Sequence, residues 1–488
     1  VRRPGALALV LHTHMPYVEG FGTWPFGEEW LWEAIATSYV PLLGVLGRAP
    51  ITLSLTPVLC DQLDAPGVVD RCVAFLREVR PESHARDVAR FRADGADALA
   101  SELERSASEY AGAAEQLEAL GGSLRVALGA HASWTSAATH AVLPLLATDE
   151  GIAVQVETGV ASHRRRFGEW HGGCWLPECA YAPWLDPLLV AAGVRAACVE
   201  LTGLFGLGDP RQLQPLVTDA GLDLWPIDRQ TIALVWSEHG YPAGAAYRNY
   251  HGLTEHHHRV WRNDGLPYDH VAALRAAAVD ARDFVARVRE RVRDGGICVC
   301  ALDTELLGHW WYEGVRWLSG VVDEAARQGL SLTTLDDAIE LCDPAPAPGD
   351  LPITSWGEGR DLRTWSGPPV AELAWRARSL ELAVVAAGAE ASPRAVRELL
   401  ALQSSDWAFL VWRGLAGEYP RERAHAHADA VERTLAAGAA LEPELRNLAP
   451  ELAGPLPPPE RLRRLAQPDR ARRHPADDRV RGHVAGND

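Results

Sequence analysis

The chain has 488 residues, 47% hydrophobic and 23% charged, enough for two to four domains with sizeable cores. Its 65 Asp and Glu outnumber 47 basic residues, a net charge of -18 that argues against nucleic acid and anionic membrane surfaces as partners. No apolar run reaches the roughly 18 residues of a membrane span. All the basic residues are Arg, which reads as codon bias rather than a functional choice.

In chain order, the N-terminal VRRPGALALVLHTH carries only a short apolar stretch and reads as a first strand, not a signal peptide. Strands are predicted at 6–12, 51–57, 154–158, 196–201, 232–236 and 297–303, several of them apolar throughout, as strands covered on both faces are. Helical patterns lie between them, at 67–79, 84–119, 185–193 and 271–293. This alternation predicts a parallel α/β architecture, either barrel or open sheet, to about residue 345. The Pro-rich DPAPAPGDLP at 343–352 reads as a linker, and 370–388, 393–414 and 421–440 as a helical C-terminal domain. From 454 the Pro, Arg and Asp content predicts a disordered tail. The eight Cys, at 60, 72, 174, 179, 198, 298, 300 and 342, form no C-x-x-C pair. They read as reduced, mostly buried thiols of a cytoplasmic protein.

Two carboxylates stand in unusual company. Asp303 follows the apolar run Ile297 to Leu302 and precedes Gly308, His309, Trp310, Trp311 and Tyr312. A carboxylate at the C-terminal end of a buried parallel strand sits where α/β barrels gather catalytic groups. Apolar surroundings raise its pKa, so that it can protonate a leaving oxygen. The alternative is an Asp capping the next helix. Glu178 lies in GGCWLPECAYAPWLDPLL, where Pro177 and Pro183 forbid a regular helix and Trp175, Tyr181 and Trp184 surround it. It reads as a carboxylate displayed on a rigid loop, or as one bound to that loop's own amides. A pair of this kind suggests a glycosidase, retaining or inverting according to the gap between the carboxylates.

His12 and His14 end the first strand on one face. They suit sugar hydroxyls or a metal, but no third ligand is evident, and the adjacent His256, His257 and His258 cannot all face one ion. His140 precedes a segment that reads as helical, and Trp356, Glu358 and Trp365 open the C-terminal part. The segment at about 235–262 is rich in Gly, Tyr and His and lacks helix periodicity. It reads as a structureless lid with Tyr241 at its tip, or as a tolerated insertion. For any one of the 18 Trp, a sugar platform and plain core packing are both open.

Five segments in this order resemble glycoside hydrolase family 57, and within it the α-1,4-glucan branching enzymes of actinobacterial type: HTHMPY with WPFGEEWLWEAI, THAVLPLL, WLPECAY, ALDTELLGHWWYEG and SWGEG. The resemblance spans about 6–415 and departs where Arg360 and Asp361 follow SWGEG and where Ala141 replaces a more usual Gly. It implies an incomplete seven-stranded (β/α) barrel in 1–345, with a helical insertion at about 60–120, and a helical domain in 346–453. It also implies a retaining mechanism without metal or cofactor, acting between α-1,4-glucan donor and acceptor in a glycogen-like or methylglucose-type polysaccharide. By motif, Glu178 looks like the nucleophile, Asp303 like the general acid/base and Tyr241 like the lid residue that favours transfer. His12, His14, Trp24, His140, Trp175, His309, Trp310, Trp356, Glu358, Trp365 and Trp407 look like sugar-binding residues. An α-amylase-like hydrolase, a metal-dependent deacetylase or mannosidase, and a silent glucan-binding protein are the rival readings.

Overall fold

The computed structural model describes residues 5–437 apart from 20, 23–25 and 122, together with 447–450 and 452. Trp24 and the tail expected from 454 lie outside the described residues.

Ten strands form one sheet: β1 (Ala6–Thr13), β2 (Thr52–Leu55), β3 (Ala132–Ser136), β4 (Gly173–Trp175), β5 (Ala196–Val199), β6 (Leu216–Val217), β7 (Asp223–Pro226), β8 (Ile297–Asp303), β9 (Ser331–Thr333) and β10 (Ala345–Pro346). Seven run parallel in the order β7-β5-β4-β3-β2-β1-β8. The antiparallel β6 and then β10 extend the β7 edge, and β9 pairs with the start of β1. β7 and β8 do not pair, but Asp228 N–H, just past β7, donates to the Val299 carbonyl of β8 at 2.8 Å. The sheet therefore curls round on itself, and the architecture is the expected incomplete barrel. Every residue of β1 is buried, as an apolar strand covered on both faces requires.

Two predicted strands are helices. Residues 154–158 lie inside the helix Asp149–Phe167, and 232–236 largely inside Arg229–Val235. Residues 154–158 are nearly all buried, whereas 232–236 mix buried Ile232 and Val235 with half-buried Ala233 and Leu234 and exposed Trp236; runs this short give no period that separates strand from helix. The linker reading of 343–352 also changes: Ala345 and Pro346 pair with Leu216 and Val217 at the sheet edge.

Between β2 and β3 the chain is helical, its two long members being Arg80–Ala93 and Asp97–Ala119. The expected helix at 84–119 is broken where Gly95 takes φ +70°, a turn that favours glycine. The C-terminal part carries helices Ala371–Ala387, Pro393–Leu402, Ser405–Arg413 and Tyr419–Ala437. The stretch expected as one helix at 393–414 breaks at Gln403 and Ser404. Ser404 is extended (ψ 136°) and bridges Ala141, and Ser405 N–H donates to the His140 carbonyl at 3.0 Å. Buried Glu381 ties the same helices to the barrel. It accepts from the backbone of Ala147 and Thr148, from the Thr148 hydroxyl and from the Gln403 amide.

Candidate active site

The carboxyl ends of the strands bring the candidate residues together. β1 and β8 run in register with His12 opposite Asp303. The His140 ring packs against those of His12 and His14, at 4.8 and 4.0 Å, and Trp175 stacks on His12 at 4.9 Å. His12 Nε2 lies 2.8 Å from His140 Nε2, and His140 Nδ1 lies 2.8 Å from Ser405 Oγ. His14 Nε2 is held by the Asp406 carboxylate at 3.0 Å. Burial drives His12 and His140 well below the usual histidine range, and the charge of His14 adds to this. Burial also lowers His14, but Asp406, Glu305 and Glu178 together outweigh it and leave it above that range. The stack thus joins one ring whose charged form is favoured to two whose neutral form is.

Glu178 sits just past β4 on a single turn, Pro177–Cys179, with left-handed backbone at Glu178 (φ 61°) and Cys179 (φ 51°). His140 is left-handed too (φ 61°). Non-glycine residues held this way store about 1–3 kcal/mol each, and such strain gathers where function requires it. Trp356 fixes Glu178 twice: its backbone N–H donates to the Glu178 carbonyl at 3.0 Å, and its indole N–H to Oε2 at 2.9 Å. Reciprocal 2.9 Å backbone bonds between Tyr181 and Thr354 anchor the two loops to each other. The Glu178 side chain remains 13% exposed, with Oε1 3.8 Å from His140 Nδ1.

Burial raises the Glu178 pKa, opposed by hydrogen bonds from Trp356 and Ser405. Asp303 goes well above the carboxylate range, through burial first and then the carboxylates of Glu305, Glu178 and Asp406. Glu305 is pushed up to about 7 by burial, even though it accepts from Tyr39 Oη at 2.6 Å and His14 N–H at 3.1 Å. Burial and the neighbouring carboxylates favour the protonated form of Asp303 more strongly than that of Glu178. Two acids with separated proton affinities can serve as acid and nucleophile.

The other expected residues divide. Trp356 is partly exposed, with Trp175 at 4.9 Å and Trp236 at 6.1 Å. Trp365 and Trp407 are buried; the indole N–H of Trp407 donates to the Ala401 carbonyl inside the C-terminal core. Trp175 is likewise fully buried and touches His12 and Trp356 instead of offering a free face. Glu358 is exposed and accepts from the Trp412 indole at 2.9 Å. Tyr241 is not displayed at a tip: its hydroxyl donates to Asp283 at 2.7 Å and its ring lies 6.4 Å from Trp317. The lid segment is not structureless, for Arg248 bridges Arg262 and Trp261 bridges Pro267. His256 and His258 turn to Asp87 and Ser83 on the helical insertion. His309 and Trp310 line a separate cavity beside this segment. Sequence reasoning missed Ser405, Asp406, Glu305, Tyr39 and the 43% exposed Trp236. Asp406 stands beside the Trp407 that drew attention, and Glu305 two residues from Asp303. Among the described residues no group of three His, Cys, Asp or Glu is arranged to hold a metal ion.

The model of glycosyl hydrolase family 57 matches residues 133–347, and that of the C-terminal part of 1,4-alpha-glucan branching enzymes matches 380–449. A probable 1,4-alpha-glucan branching enzyme of Mycobacterium tuberculosis is 35% identical over 499 residues, covering 90% of this chain and 93% of that protein. The chain belongs to the branching-enzyme group of glycosyl hydrolase family 57. A branching enzyme of Thermococcus kodakarensis is 32% identical over 87% of this chain and 72% of its own length. The crystal structure of the family 57 branching enzyme of Pyrococcus horikoshii superimposes with TM-score 0.81 at 30% identity, covering 94% of each chain. In this family 57 chain the first matched segment carries His140, Glu178 and Asp303, and the second supplies Ser405 and Asp406.

Proposed function

We propose that the chain is a 1,4-α-glucan branching transferase that works with retention of configuration. The observation that carries this reading is the pair Glu178 and Asp303, set at one end of the sheet with unequal proton affinity. Glu178 attacks the anomeric carbon while Asp303 gives its proton to the departing glycosidic oxygen, and a glycosyl ester of Glu178 forms. Asp303, now ionised, takes the proton of an acceptor 6-hydroxyl, and that oxygen displaces Glu178. Two inversions leave an α-1,6 branch. Trp356 with Trp236 offers aromatic surface to the bound glucan beside the imidazole stack, whose ring nitrogens are held by one another and by Ser54, Thr56, Ser405 and Asp406. The natural substrate is a glycogen-like or methylglucose-type glucan. No helix among the described residues is long and apolar enough to cross a membrane, and eight free thiols support a cytoplasmic location.

The test is incubation with amylose in EDTA, counting reducing ends and α-1,6 linkages by proton NMR. The reading predicts new α-1,6 signals with few added reducing ends. Reducing ends that rise without α-1,6 linkages would make the chain an α-amylase-like hydrolase.

A further inference from the structure

A small cavity, partly open to solvent, lies between the helical insertion, the 235–262 segment and the turn that follows Asp303. Its volume of about 30 Å³ admits one small ion or a water or two, not a sugar ring. The lining is one-sided in charge. Arg80, Arg248 and Arg259 contribute to it, and no Asp or Glu among the described residues does. Behind the lining, Glu33 pairs with Arg80 and Glu102 with Arg248. Arg259 has no carboxylate partner among the described residues. Its Nε donates to the Tyr250 carbonyl at 2.9 Å, and its guanidinium lies 4.2 Å from the Tyr250 ring centre, which leaves the two Nη groups for an occupant.

Two more side chains of the lining are buried without a partner. Ser106, on the helix Asp97–Ala119, is 7% exposed, and His309 is 8% exposed. Neither the hydroxyl nor the ring makes a hydrogen bond among the described residues, although polar groups buried this far are ordinarily satisfied. Burial and the charge of Arg259, with Arg80 adding and Glu33 opposing, hold His309 down at about 4. The ring is therefore neutral and has one N–H to donate. Two cations against one carboxylate also make the local field positive on balance. The turn that carries His309 is tightly placed: Gly308 has φ +100°, and a Cβ there would fall 1.9 Å from the Thr37 carbonyl oxygen. The same turn leads back to the first site, because Trp310 N–H donates to the Glu305 carbonyl at 3.1 Å.

We propose that this cavity holds a single small inorganic anion of the chloride kind on Arg259, His309 and Ser106, and that its occupancy steadies the turn behind Asp303. A water molecule satisfies Ser106 and His309 equally well, but only an anion also answers the unpaired charge of Arg259. The binding site stands apart from the branching reading; its link to turnover rests on the role given to Asp303.

The test uses the full chain, with gluconate replacing chloride at constant ionic strength. Crystals soaked in sodium bromide are expected to show an anomalous peak between Arg259 and His309, and Arg259→Gln crystals to lack it. The kcat/KM for consumption of amylose is expected to fall about five-fold in gluconate and to recover saturably with sodium chloride. Arg259→Gln is expected to keep the gluconate rate whatever the chloride, and Ser106→Ala to need more chloride for the same recovery. Bromide ordered elsewhere on the protein but not in this cavity would overturn the site. A peak here with kcat/KM indifferent to chloride would make it an adventitious ion only and overturn the link to Asp303. Failure of the branching reading would show in the linkages formed and leave the bromide peak in place.

Discussion

At the scale of single residues, the account turns on which carboxylate holds the proton. On the proposed mechanism, activity needs Glu178 ionised and Asp303 protonated. Both pKa values are raised, Asp303 the further. The kcat/KM profile is therefore a bell: its acid limb, where Glu178 gains a proton, lies above the ordinary Glu range, and its alkaline limb marks the loss of the Asp303 proton. Asp303→Asn is expected to lower kcat/KM on amylose by about 10²–10⁴ and to remove the alkaline limb. Trp356→Phe deletes the indole hydrogen bond that favours ionised Glu178. Such a bond to a charged group contributes about 1.5–3 kcal/mol, so the acid limb should move up by about one to two pH units. A limb that moves down, read from kcat/KM against pH, would contradict the role given to Trp356.

At the scale of elements, the break between Pro393–Leu402 and Ser405–Arg413 is the most informative feature. Helical spacing runs through 393–414 unbroken, so local propensity alone predicts one helix. The bridge from Ser404 to Ala141 overrides it and sets Ser405 against His140 and Asp406 against His14. Partners more than 260 residues apart in sequence leave no local trace of this. Asp406→Asn is expected to lower the His14 pKa, read by NMR titration, and to cut kcat/KM by about ten-fold with the fold intact. The 235–262 segment makes a different prediction. Tyr241 bonds Asp283 and not the sugar site's carboxylates. If anchoring the lid is how it favours transfer, Tyr241→Phe and Asp283→Ala should raise the ratio of reducing ends to α-1,6 linkages alike, by several-fold. A ratio that moves in one variant only would give Tyr241 a role independent of its anchor.

At the scale of the whole molecule, the alternation of apolar runs and helical patterns gave a parallel α/β architecture, the resemblance gave the barrel, and the largely apolar β1 and β8 were legible almost residue by residue. Short β3, β4 and β7 were not, since three to five residues with a Trp in each give no period to read. The site was half legible. Glu178 and Asp303 stood out because Trp, Tyr and Pro crowd them. Trp365 and Trp407, which the resemblance gives as platforms, are buried, and core packing and sugar stacking use the same residue type. The central claim is that Glu178 becomes glycosylated. The direct measurement is mass spectrometry of peptides from Asp303→Asn after reaction with an α-maltosyl fluoride, whose leaving group needs no acid. The account predicts the added sugar mass on the peptide that holds Glu178. A sugar on Glu305 or Asp406, or none on any carboxylate while fluoride is released, would contradict it.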